Sequence, residues 1–126
     1  MNDSDKLLLK NAEKFLFDLE KLRDEIVSRD LFYKQMRQSK DPSAKQQYEK
    51  VAQDISLKCL FYATKLIASP TPSWIERIPR EYAGLADQFF SVVCDQMCAS
   101  VKVFDKCIIP NTKALIRLAF EETYSQ

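Results

Sequence analysis

Cys94 and Cys98 are the closest pair of cysteines in the sequence, one helical turn apart. Residues at i and i+4 share a helix face. The pair could therefore offer two soft ligands to a metal ion, with Cys59 and Cys107 completing a four-sulfur site. However, structural zinc sites place close cysteine pairs on turns, and all four cysteines here fall within apolar helical pattern. In such a setting a thiol behaves as a small buried hydrophobe. Buried, reduced thiols are expected, with no metal and no cofactor.

Other catalytic chemistry has little to work with. The chain contains no histidine. That removes Ser-His and Cys-His nucleophile pairs, histidine-zinc motifs and the Glu-x-x-His pattern of di-iron bundles. Gly84 is the only glycine, so no glycine-rich phosphate loop can form. Acid-base or covalent catalysis would rest on carboxylates, lysines or cysteines, whose spacing reads as ordinary solvated helix surface. No catalytic residue is assigned and an enzyme is not expected. A cavity inside a helical core is the remaining route to a small-ligand carrier.

One group of charges is more concentrated. Lys34, Arg37, Lys40 and Lys45 surround a single break in the chain, relieved only by Asp41. Such a basic tip suits phosphates of nucleic acid or of anionic lipid headgroups. The plainer reading is that cations sit well at a helix C-terminus and that a turn is polar in any case. The overall net charge of +1 exerts no global pull toward polyanions.

These side chains must be held by helices. One glycine and five prolines in 126 residues leave little material for tight strand turns. The spacing Leu8, Ala12, Phe15, Leu19, Leu22, Ile26, Arg29, Tyr33, Met36 alternates steps of four and three, the repeat of bundle helices. It predicts a helix from about 4 to 38, capped by Asp3 or Ser4. Asp41 and Pro42 suit the cap and first position of a second helix over 42–68, giving a long antiparallel hairpin. Pro70 and Pro72 end that helix and open a proline-rich connector over 69–79. Within it Ser73–Glu76 has the pattern of a capping box, for a single turn around Trp74. A third long helix follows over 79–108, then a break at Ile109–Thr112 and a short helix over 112–124. The expected fold is all-α, a four-helix bundle-like domain over 1–126.

The run Leu-Phe-Tyr occurs twice, at 31–33 and 60–62. A helix with one buried face has room for one or two of three consecutive large apolar residues. From Leu57 to Ala68 the second helix is apolar nearly all round, which implies burial on more than one side. Either the third and fourth helices cover the surplus or a partner does. Phe17 and Leu31 on the outer line of the first helix, with Phe32 beside it, are the foremost docking candidates. Trp74 is read as a lid over one end of the bundle or, alternatively, as an exposed anchor for a partner.

The resulting expectation is a non-enzymatic protein–protein interaction module, an adaptor or a small subunit of a larger complex. It would dock another protein or a second copy of itself, helix to helix or helix in groove. Contact of the basic tip with nucleic acid or anionic membrane is the alternative. The polar N-terminus reads as no signal peptide, and no apolar run approaches the roughly 20 residues of a membrane span. An intracellular location, cytoplasm or nucleus, is expected.

Overall fold

The computed structural model describes residues 2–68, 73–96 and 100–121. The expected all-α fold is observed, and no strand occurs among the described residues. Helix α1 spans Asp3–Gln38 and helix α2 spans Pro42–Ala68. The cap of α1 is Asn2, just ahead of the Asp3 or Ser4 expected, and its Oδ1 accepts the Asp5 N–H at 2.8 Å. Asp3 and Asp5 then place negative charge in the first turn, where the helix dipole favours it. At the hairpin turn Asp41 Oδ1 accepts the Ser43 N–H at 3.2 Å, and Pro42 takes the first helical position. Cross-links between Lys58 and Glu25 (3.3 Å) and between the rings of Phe32 and Tyr48 (6.4 Å) fix the two helices as antiparallel.

The single turn expected around Trp74 is a 3-10 helix, Ser73–Arg77, and helix α3 spans Arg80–Gln96. Pro70 and Pro72 lie outside the described residues. The expected third helix over 79–108 and break at Ile109–Thr112 are drawn differently in the structure. Ser100 is extended (φ −78°, ψ 153°) and starts a new helical segment. That segment is α-helical over Val101–Val103, π-helical over Phe104–Ile108 and α-helical again over Ile109–Ala119, without interruption; the three together are called α4.

The widened turn explains why Pro110 breaks nothing. In regular α geometry a proline ring meets the carbonyl four residues back, here that of Lys106, and leaves that carbonyl without an N–H. Just before it, the Ile109 N–H reaches five residues back to the Phe104 carbonyl. This π register opens the turn on which the ring would press. Residues 122–124 of the expected last helix lie outside the described residues.

Two merged apolar clusters form the core. Leu19, Leu22 and Ile26 of α1 meet Cys59 and Ala63 of α2 and Phe104 and Ile108 of α4. Below them Ala12 meets Trp74, Ile78, Ala86 and the end of α4 at Ile116 and Phe120. Phe15 and Phe89 touch both clusters. Polar ties run α4 antiparallel to α1. Arg23 grips Asp105 through two bonds of 2.9 Å, and Lys113 lies 3.9 Å from Glu20.

Every buried residue of α1 lies at or before Ile26. The last twelve residues of α1 and the facing first part of α2 therefore extend past the bundle as a two-helix arm about 18 Å long. Ala52 is the one fully buried residue of α2 ahead of Cys59. Arg29, Tyr33 and Met36 continue the seam half-buried.

Candidate interaction surfaces

The four residues singled out for docking do not come together. Phe17 and Leu31 are exposed, at 57% and 51%, on the outer side of α1. They lie fourteen positions apart, about 21 Å along the helix, with the charged Asp24 midway. Phe17 is also shielded in part, since Lys21 Nζ lies 5.5 Å from its ring centre. Phe32 is half-buried and packs on Tyr48 within the arm. Trp74 is fully buried, 6.2 Å from the Phe15 ring, so it closes the base of the bundle. A partner cannot reach it in this fold, and the exposed-anchor alternative is withdrawn.

The surface that does stand open lies on α2. Leu57, Leu60 and Phe61 are exposed at 67%, 56% and 60%. Their spacing of i, i+3 and i+4 aligns them on one face, away from Cys59 and Ala63, which enter the core. Thr64 continues the stripe one turn on, and its hydroxyl donates to the Leu60 carbonyl at 2.7 Å, so its polar group is already satisfied. The ring of Phe61 stands edge-on to Tyr62 at 6.0 Å. Thus the two Leu-Phe-Tyr runs have one answer: in each, tyrosine enters the seam half-buried, and Leu31, Leu60 and Phe61 remain outside. The covering of α2 by the third and fourth helices stops short of this face. Covering three such side chains is worth about 3–5 kcal/mol in total, given that each is already partly shielded.

The basic tip is assembled as the sequence suggests. Lys34 and Arg37 project from the end of α1, Lys40 from the connection and Lys45 from the first turns of α2, all exposed. Among the described residues none of the four forms an ion pair. Lys14, Arg23, Arg29, Lys58, Arg77 and Lys113 do, with Asp18, Asp105, Asp30, Glu25, Asp5 and Glu20. Asp41, the one carboxylate inside the cluster, is engaged with the Ser43 N–H.

Arg77 is half-buried where the first turn of α1 meets the end of α4. It pairs with Asp5, donates to the Ala119 carbonyl at 3.1 Å and lies 5.0 Å over the Phe120 ring. Its position between α1, the 3-10 turn and the end of α4 is that of an internal tie. The Arg23–Asp105 pair is more open. The bond from Arg23 holds the Asp105 carboxyl below its ordinary value, and Arg23 is raised in turn.

Among the described residues no group of three or more potential ligands could hold a metal ion. Cys98 and the side chain of Cys94 lie outside the described residues. Cys59 is buried in the core, and Cys107 is half-buried with its Sγ accepting from Asn111 Nδ2 at 3.6 Å. No helix among the described residues is long and apolar enough to cross a membrane. No protein-family model matches the chain, and neither a curated protein nor a solved structure matches it.

Proposed function

We propose that this chain is a non-enzymatic helical interaction module, an adaptor or small subunit of a larger assembly. It docks an amphipathic helix of a partner protein across the outer face of α2. The observation that carries this reading is the stripe of exposed apolar side chains Leu57, Leu60 and Phe61. A 3-4 stripe of large side chains is the ridge pattern into which a second helix packs. Exposed apolar clusters in this setting serve contact rather than solubility. Nothing in the placement of the described carboxylates, lysines and cysteines argues for bond-making chemistry.

The test is the pair Leu60→Glu and Phe61→Glu, combined in one chain. Both side chains already face water, so helix content and unfolding midpoint should change little. Partners co-purified from the native source with the wild-type chain, identified by mass spectrometry and then reconstituted pure, should bind the double variant at least a hundredfold more weakly. Equal affinity for both chains would refute the assignment of this face. A wild-type dimer by light scattering that the two substitutions dissociate would make the occupant a second copy.

A further inference from the structure

A second surface is independent of the α2 stripe. The outer part of the arm, residues 31–50, carries five cations and two carboxylates, against fourteen and sixteen in the rest of the chain. Positive charge is thus gathered on the part that extends beyond the core, and the remainder is slightly acidic. Lys34 lies four residues before the end of α1 and Lys45 three residues after the start of α2. Both are within about 6 Å of the arm's end, a gap that a lysine stem spans. Together with Arg37 and Lys40 they ring the end of a rod and do not line its side.

From this arrangement we infer that the tip of the arm docks end-on against the anionic headgroups of a phospholipid bilayer. A flat sheet of negative charge meets all four cations at once. A nucleic-acid duplex, being a cylinder, would engage the side of such a ring. The arm also lacks the exposed aromatic platform of a single-strand binder, since Phe32 and Tyr48 are packed on each other. The charge count favours the same partner. Each Lys or Arg at an anionic leaflet raises partitioning about fivefold, so four raise it roughly six-hundredfold. Four phosphate contacts on a duplex fall short of the six to ten typical of strongly salt-dependent DNA binders. The nearest carboxylate of the remainder, Asp30, lies one turn from Lys34 and is itself paired with Arg29 at 3.1 Å, so it offsets little of the tip's field.

The experiment is co-sedimentation of the full chain with phosphatidylcholine vesicles that contain or lack about 30% phosphatidylserine, at about 50 mM and about 300 mM salt. Binding should require phosphatidylserine and fall steeply with salt. Changing Lys34, Arg37, Lys40 and Lys45 together to Glu should weaken it at least a hundredfold, and changing them to Gln less so, with helix content unchanged by circular dichroism. The Leu60→Glu, Phe61→Glu chain should bind vesicles like the wild type, which separates this inference from the apolar docking face. Equal binding to pure phosphatidylcholine, no binding to anionic vesicles, or undiminished binding by the Glu variant would overturn it. Displacement from vesicles by duplex nucleic acid at equal phosphate concentration would overturn it in favour of nucleic acid.

Discussion

The base of the hairpin and its arm are built from the same two helices yet differ in how far the seam is buried and in how their cations are paired. At the base α1 is covered on two sides: α2 supplies Cys59 and Ala63, and α4 supplies Phe104 and Ile108. Past Ile26 only α2 faces it, and burial drops from complete to partial along an unchanged 3-4 spacing. Cations at the base are paired to carboxylates on neighbouring elements, as in Arg23–Asp105, Lys58–Glu25 and Arg77–Asp5. At the tip they stand alone. The same apolar repeat therefore gives a core only where a third helix arrives. Where none does, the chain is left with two helices sharing one seam and with charge free to meet something else.

The largest expected effect contrasts the two regions directly. Phe104 is fully buried at the junction of α1, α2 and α4. Truncation to Ala leaves a cavity in a region that cannot collapse, at a cost of about 3–5 kcal/mol. Tyr48, half-buried against Phe32 in the arm, should cost no more than about 1.5 kcal/mol when changed to Ala, because water already reaches much of it. Urea unfolding of both variants measures the difference. Equal losses would mean that the arm is as tightly packed as the base.

Next in size is Arg77. Replacing it with Ala leaves Asp5 and the Ala119 carbonyl without their shared donor and uncovers Phe120. Because the site is partly buried, the expected loss is about 2–3 kcal/mol. Arg77→Lys keeps the charge but not the planar fork, so it should fall between the wild type and Ala. A cycle with Asp5→Asn tests the mechanism: the two substitutions together should cost less than the sum of each alone. Strict additivity would show that Arg77 acts through Ala119 and Phe120 only.

The hairpin was legible because its signals are local and agree: Asp41 and Pro42 at the turn, and a repeat held from Leu8 to Met36. The nine seam positions of α1 are all buried or half-buried, as that spacing requires. The second half of the chain was less legible for two physical reasons. The apolar positions Tyr82, Ala86, Phe89, Val93, Met97, Val101, Phe104 and Ile108 keep steps of three or four straight through Ser100, so the extended residue there interrupts no apolar step. Pro110 reads as a break, since its effect depends on whether the preceding turn is α or π. Candidate contact residues show the same division. The basic tip is a property of neighbours in sequence. Whether Trp74 or Leu60 meets water depends on where another element lands, and no local spacing encodes that.

The smallest effect sharpens the comparison at its boundary, where Arg23 of α1 meets Asp105 near the start of α4. The Asp105 carboxyl is held below its ordinary value of 3.8, first by the bond from Arg23 and then by its charge. A carboxylate whose pKa is lowered on folding binds fewer protons folded than unfolded. Its contribution is therefore present above the unfolded value and disappears as pH falls through the folded one. Asp105→Asn should accordingly lower the unfolding midpoint at about pH 7, and the two chains should converge as pH falls below the ordinary carboxyl value and through the lowered folded one. Because the pair is open to solvent, and Arg23 keeps Asp24 as a second partner at 3.2 Å, the loss should be smaller than for Arg77 and should shrink further with added salt. A difference between the chains that persists unchanged in acid would mean that Asp105 supports α4 by packing rather than by charge.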